Sequence, residues 1–369
     1  MAASEADDLR GAVREFLKAT SPSHRVRELM ATERGYDEVV WRQMAEQLGL
    51  HGIAVPEQYG GAGAGIRELA VVFEEMGAAL LCSPFFSTVA MAIPAIIASG
   101  DQQAMDEFLP SLVDGTSTAT LVLNGALDAW DPEAVTLTAQ RDGTGFRVTG
   151  DAALVLDGHT ADLVLVAATD TTGISLFAIT AEAEGMTREP LATLDRTRKL
   201  ARISFEGVDA RLIGGHGAAA GALARTYDLT VVALVAEQVG AAQRCLDTAV
   251  GYASERIQFG RAIGSFQAVK HRCADMLVLV EGARSAAVHA AEAADGSELP
   301  IAVSVAKMAC SEAFLHVALD NMRIHGGIGF TWEHDAHLYV RRAKATQLML
   351  GSPDFHAERL ADLVTSSSH

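Results

Sequence analysis

The sequence has only four cysteines, and no two of them are close together. They stand at Cys82, Cys245, Cys273 and Cys310. Zinc and redox sites use cysteines a few residues apart, so this spacing argues against both, and free thiols fit a reducing compartment. The acidic N-terminal segment also lacks the basic start and apolar run of a secretory signal. We therefore expect a cytoplasmic protein without a metal site.

Basic residues are scarce relative to acidic ones. The 29 Lys and Arg residues against 47 Asp and Glu residues give a formal net charge of -18. Such a charge repels phosphate backbones and anionic lipid head groups, and no local cluster of basic residues reverses it. The sequence therefore predicts that neither nucleic acid nor a membrane is a partner. An anionic ligand would have to be held by particular arginines.

Long uninterrupted apolar runs are absent as well. The nearest approach is the uncharged segment 76–100, whose length alone resembles a membrane span. Pro84 and Pro94 interrupt this segment, and proline breaks the hydrogen-bond ladder of a helix. Two buried helices separated at Ser83-Pro84 are therefore favoured over a span.

Three regions of different character follow one another along the chain. Residues 1–117 and 213–369 show apolar residues at helical spacing, whereas residues 118–212 contain short β-rich runs separated by turns. The β-rich runs are too close together for crossover helices, which argues against a doubly wound nucleotide fold. The predicted fold class is α+β and mostly α, with an N-terminal helical domain, a middle antiparallel β domain and a C-terminal four-helix bundle.

Two segments of the last region carry the clearest functional pattern. The first runs from Arg256 to His271 and reads RIQFGRAIGSFQAVKH. The second runs from Arg323 to His334 and reads RIHGGIGFTWEH. Both resemble signatures of the acyl-CoA dehydrogenase family, in the same order and at the same separation, and the helix, strand, helix succession is similar over essentially the whole chain.

This resemblance implies a FAD-dependent, intracellular and oligomeric protein that acts on acyl-CoA thioesters. In such enzymes a carboxylate removes the α proton while the flavin accepts hydride from the β carbon. The flavin lies across an interface between two chains. One chain supplies the base and the β-domain loops around the isoalloxazine ring. The other directs the two segments quoted above at the ADP half of the cofactor.

The contacts that one chain lends to its neighbour are retained here. By resemblance, the predicted cofactor-binding residues are Arg256, Phe259, Ile263, Gln267, Arg323, Gly326 and Gly327. Arg256 is expected to pair with the pyrophosphate as a permanently charged fork, and the glycine pair permits close backbone approach. Arg323 stands where the family has a glutamine, so it keeps a donor and adds a charge.

The groups that a chain uses for its own catalysis are missing. Many members place the glutamate base just before a Gly-Thr pair, where this chain has Leu350 before Gly351-Ser352. Other members place the base early in the first bundle helix, where this chain has Thr230. Neither side chain is a carboxylate, so no catalytic residue is predicted.

The flavin contacts of the β domain are missing too. Residues 123–130 stand in place of a Thr-Glu-Pro-x-x-Gly-Ser-Asp loop, and Leu154-Val155-Leu156 stands in place of a Trp-x-Thr strand. We therefore interpret the chain as the non-catalytic subunit of a heteromeric acyl-CoA dehydrogenase, resembling the two-plus-two enzymes of bacterial steroid side-chain degradation. FAD would be shared with a homologous catalytic chain that binds most of the acyl-CoA substrate.

Two alternatives stay open. The chain could be a homo-oligomeric flavoenzyme with an unusual base, for which Glu237, about two helical turns from Thr230, is the nearest carboxylate. It could also be a structural or regulatory homologue without flavin. His334 and His337 have helical spacing for a metal, but their segment matches the flavin family rather than a zinc motif.

Overall fold

The computed structural model describes residues 3–123, 129–143 and 145–366. Helices extend to Val113, strands run from Ala119 to Ile213, and helices return at Ala220. The predicted succession of helical, β and helical regions is confirmed. The predicted domain boundaries, after residues 117 and 212, fall at these changes of secondary structure and stay predictions.

The N-terminal region is built from helices with polar caps. They are α1 (Ala3–Thr20), α2 (Ser23–Leu29), α3 (Glu38–Glu46), α4 (Ile66–Ala79), α5 (Ile93–Ala98) and α6 (Gln102–Val113). Asp37 and Asp101 begin α3 and α6, because each carboxylate accepts a hydrogen bond from an amide of the first turn. Between Pro84 and α5 lies a buried π-helical segment, Phe86–Ala92. The helical reading of segment 76–100 with a break near Ser83-Pro84 is confirmed.

The middle region is a seven-stranded sheet. Its strands are β1 (Ala119–Val122), β2 (Thr138–Asp142), β3 (Gly145–Leu156), β4 (Leu163–Asp170), β5 (Gly173–Thr180), β6 (Met186–Leu191) and β7 (Leu200–Ile213). Most strand pairs are antiparallel, but β1 lies parallel to β4, and β2 is parallel to β4 at one residue pair. The predicted antiparallel arrangement is therefore confirmed for most strand pairs and corrected for the pairing of β1 and β2 with β4. The 40 residues between Val122 and Leu163 give the long connection that a parallel pair requires.

The C-terminal region has more helices than predicted. It contains α7 (Ala220–Glu255), α8 (Gln267–Glu292), α9 (Leu299–His325), α10 (Ala336–Leu348) and α11 (Pro353–Ser366). Helices α8, α10 and α11 all pack on α9. The expected fourth helix is divided into α10 and α11, because Leu350 and Gly351 have φ of 57° and 88°. Left-handed backbone ends an α-helix, so the four-helix prediction is corrected to five helices among the described residues.

The chain forms two compact units. One combines residues of Met1–Val26, Ala70–Leu81 and Val231–His369, and the other combines Arg27–Leu69 and Cys82–Thr230. Two described helices, α7 and α9, are long and apolar enough to cross a membrane by length and composition. However, 83% of the apolar window of α7 and 61% of that of α9 with its extension to Phe330 are buried in the protein. Such burial is typical of core helices.

His51 is a polar side chain held in an apolar part of the second unit. It is fully buried and stacks on the Trp41 ring at a centroid distance of 3.9 Å. Neither ring nitrogen has a hydrogen-bond partner among the described residues. Burial therefore lowers the pKa of His51 to about 3, and the folded protein holds it neutral.

Replacing His51 with Phe is expected to stabilise the protein, increasingly so at acidic pH. The substitution keeps a ring on Trp41 and removes an unsatisfied buried group that costs about 1–3 kcal/mol. In the wild type, His51 of the unfolded chain binds a proton near pH 6.5, whereas His51 of the folded chain stays unprotonated down to about pH 3. As the pH is lowered through this window, the free energy of unfolding of the wild type therefore falls by about 1.4 kcal/mol per pH unit because of this residue. Urea unfolding at several pH values measures the difference, with exposed His24→Phe as the control. The same dependence of the free energy of unfolding on pH in wild type and H51F would contradict the assignment of His51 as a buried neutral group.

Candidate functional site

The first predicted cofactor segment forms an exposed hairpin between α7 and α8. Strand β8 (Ile257–Gln258) pairs antiparallel with β9 (Arg261–Ala262), and the turn holds Phe259 and Gly260 at φ of 54° and 76°. The Phe259 side chain is 92% exposed. A bulky residue in left-handed backbone, with its ring in solvent, is unfavourable in the isolated chain. The hairpin therefore presents an aromatic ring outward.

Contacts within the hairpin fix its shape. The Arg261 guanidinium lies 4.0 Å above the centre of the Phe266 ring, and the Phe259 ring meets that ring edge-on at 6.1 Å. The backbone N–H of Ile263 donates to the carbonyl of Arg256 at 2.8 Å, which brings two predicted contact residues together. Arg256 and Gln267 are exposed, whereas Ile263 is half-buried.

The second segment begins where α9 ends. Gly326 ends the helix with φ of 65°, a conformation that favours glycine. A Cβ atom added at Gly326 or Gly327 would meet no heavy atom within 4 Å, so the space beside both is open. Arg323 is exposed and donates to Asp320 Oδ1 at 2.8 Å. This ion pair within the chain was missed from the sequence, although the i, i+3 spacing could have indicated it.

The structure brings the two segments to the same end of the α8 and α9 pair. Arg272, near the start of α8, lies 3.9 Å from the Asp320 carboxylate that Arg323 also contacts. The Tyr252 ring, one turn before Arg256, stacks on His325 at 4.3 Å and 29°. The described members of the predicted cofactor set therefore form one surface, with exposed guanidinium groups and an outward aromatic ring.

The two positions that the resemblance predicts for a base are both occupied by buried side chains that cannot act as one. Leu350 is fully buried in the turn after α10. Thr230 is fully buried as well, and its hydroxyl is directed at the carbonyls of Ala90 and Thr226, at 2.8 and 2.7 Å. Neither position offers a group that can take a proton from a substrate.

Glu237, the nearest alternative carboxylate, is part of a buried ion pair. Its side chain is 5% exposed, and Oε1 accepts a hydrogen bond from Arg342 Nη1 at 2.7 Å. A permanently charged guanidinium at this distance stabilises the ionised carboxylate and weakens it as a base. The geometry therefore favours a structural role for Glu237.

The strand positions Leu154, Val155 and Leu156 offer apolar side chains only. Leu154 and Leu156 lie in β3, where the register against β7 shifts between Ala152 and Val155. Leu154 is 43% exposed with φ of 57°, and Leu156 is buried. The prediction for the loop 123–130 concerns mainly residues 124–128, which lie outside the described residues.

A cleft of about 580 Å³ lies among α1, α4, α7 and α10. None of the predicted cofactor residues lines it, and neither do Leu350 and Thr230. Among its acidic lining residues, Glu74 and Glu75 are paired with Arg10, and Glu75 also with Arg14. The cleft is therefore separate from the cofactor surface.

Comparisons with known proteins agree with the sequence motifs. The family model described as acyl-CoA dehydrogenase, N-terminal domain, matches residues 3–116, and the C-terminal domain model matches residues 220–364. The chain is 36% identical over 344 residues to acyl-CoA dehydrogenase IpdE2 of Mycobacterium tuberculosis, which covers 93% of this chain and 92% of that protein.

Solved structures show the same relationship. A structure of the Tcur3481-Tcur3483 steroid ACAD has a TM-score of 0.90 at 32% identity, covering 100% of this chain and 99% of that chain. The ChsE4-ChsE5 complex from Mycobacterium tuberculosis has a TM-score of 0.90 at 29% identity, covering 99% and 98%. The predicted fold class and family are thereby confirmed. The chain belongs to the acyl-CoA dehydrogenase family.

Proposed function

We propose that this chain is the non-catalytic subunit of a heteromeric, FAD-dependent acyl-CoA dehydrogenase. A homologous partner carries the catalytic base and binds most of the acyl-CoA substrate. This chain contributes contacts to the ADP half of a shared FAD. The proposed location is the cytoplasm.

One asymmetry carries the proposal. The predicted cofactor residues lie at an exposed surface, with Phe259 at 92% exposure. The two base positions are instead occupied by the fully buried Leu350 and Thr230. Groups that face another molecule are therefore retained, while groups that would serve a site within the same chain are absent.

The residues at this surface fit a dinucleotide. In a protein with a formal charge of -18, Arg256 and Arg323 supply the cationic donors that phosphates need. The open space beside Gly326 and Gly327 leaves room for backbone approach. Bound FAD supplies hydride acceptance from the β carbon. This chain's residues would orient the cofactor, and the proton of the α carbon would be removed by the partner.

The relatives support the heteromeric assembly and suggest a substrate class. One similar structure is named a steroid ACAD, and another is named as a complex of two proteins. By extension, we propose an acyl-CoA ester of a steroid side chain as the substrate. The homo-oligomeric alternative is disfavoured because Glu237 is committed to Arg342.

Assays of the chain with and without a homologous partner test this proposal. We expect α,β-dehydrogenation of a steroid side-chain CoA ester only by the complex. Replacing the partner's glutamate base with Gln should abolish turnover without disassembling the complex. Dehydrogenation by the lone chain, or turnover that survives loss of the partner's base, would overturn the proposal.

A further inference from the structure

Lys307 of α9 is fully buried, and no carboxylate pairs with it among the described residues. Its Nζ lies 3.0 Å from Ser311 Oγ and from the carbonyl oxygens of Thr346 and Gln347. These two carbonyls belong to the last turn of α10, where helix carbonyls have no partner within the helix. Lys307 therefore caps α10 from the neighbouring helix.

Neutral atoms, rather than a carboxylate, surround Nζ among the described residues. Nζ donates to Ser311 Oγ and to the two helix carbonyls, and the Ser311 hydroxyl in turn donates to Gln238 Oε1 at 3.4 Å. A charged ammonium in the same place would be opposed only by the partial negative end of α10. Burial accordingly lowers the pKa of Lys307 to about 7.

The other titratable groups around Lys307 hold a constant charge near neutral pH. On α9, burial raises the pKa of Cys310 to about 12. On α11, burial lowers the pKa of His356 to about 4, and the arginine Arg359 stays charged. On α10, Arg342 is charged and paired with Glu237 of α7. Lys307 is thus the group in this cluster whose charge changes near neutral pH.

The capped helix end leads into a turn that is held from two sides. The turn Met349–Ser352 contains the left-handed residues Leu350 and Gly351, with φ of 57° and 88°. From α11, His356 Nε2 donates to the Leu350 carbonyl at 2.9 Å. From α9, Lys307 holds the carbonyls just before the turn. By resemblance, this is the turn that carries the base in many relatives.

We propose that Lys307 is a positioning residue for this turn, and that opening of the turn exposes the amine and takes up a proton. The closed turn favours the neutral amine, whereas an exposed lysine is protonated up to about pH 10.5. The open state therefore binds more protons above pH 7, so the turn is held more firmly as the pH rises. At neutral pH and below, the buried charge makes the turn easiest to open. This inference does not depend on the proposed FAD sharing.

Hydrogen exchange of residues 349–356 between pH 6 and 9 tests the inference. After correction for the intrinsic rate, protection should be constant up to about pH 7 and then rise by roughly tenfold per pH unit. The Lys307→Met variant should lose this rise, because the side chain no longer titrates. Lys344→Met, at an exposed lysine of α10, should keep it. Strand β4 serves as an internal reference whose protection should not follow this profile.

A second variant keeps the test decisive if Lys307→Met does not fold. Ser311→Ala removes one partner of the ammonium, so the rise in protection should begin at a lower pH. A flat wild-type profile above pH 7 would overturn the inference. A rise in protection with the wild-type slope in Lys307→Met would also overturn it. An unchanged onset pH of that rise in Ser311→Ala would do the same.

Discussion

Replacing Arg256 with Ala should lower the affinity of the assembled complex for FAD by roughly 10- to 100-fold, the loss expected for a charge-assisted hydrogen bond. Arg256 is exposed, and no carboxylate pairs with it among the described residues, so its guanidinium is available to a phosphate group. The substitution also leaves the buried core intact. Flavin absorbance per mole of complex after gel filtration, and titration of the apo complex with FAD, measure the effect.

The matched control is Arg202→Ala, which removes the same charge from an exposed position on β7. We expect this variant to retain wild-type FAD content. Equal flavin content in both variants would contradict a cofactor role for Arg256 and favour the structural or regulatory homologue without flavin.

Replacing Glu237 with Gln should destabilise the protein by about 3–5 kcal/mol, because it removes the negative charge that lies 2.7 Å from the buried Arg342 guanidinium. The Arg342 side chain is 2% exposed, so water cannot take over the lost interaction. Turnover per folded complex should stay close to wild type, since the proposed base lies in the partner. Urea unfolding and an activity assay corrected for folded complex measure the two effects separately.

Glu281→Gln provides the comparison, because Glu281 is exposed and lies 3.5 Å from Arg284. Its free energy of unfolding should change by less than about 1 kcal/mol. Complete loss of turnover in a fully folded Glu237→Gln variant would instead support Glu237 as a catalytic base and revive the homo-oligomeric alternative.

The sequence was most informative where local motifs determine the outcome. The hairpin around Phe259 and the helix end at Gly326 follow from turn residues and glycine, so their positions could be predicted from the quoted segments. Their meeting at one end of the α8 and α9 pair could not. It depends on the Asp320 contacts and on Tyr252 stacking against His325, which join residues far apart in sequence.

Other features depend on long-range packing that no local pattern shows. The parallel pairing of β1 with β4 links residues about 40 positions apart, and strand propensity does not encode the partner's direction. The division of the last helix at Leu350 was missed because leucine favours helix and only its tertiary surroundings hold it at φ of 57°. The buried position of Lys307 is visible only in the folded chain.

Flavin content of the chain purified alone and together with its homologous partner tests the central claim most directly. We expect a colourless lone chain and a complex with visible flavin absorbance, on the order of one FAD per pair of unlike subunits, as shared cofactor contacts require. A lone chain that purifies with a full complement of FAD would contradict the account.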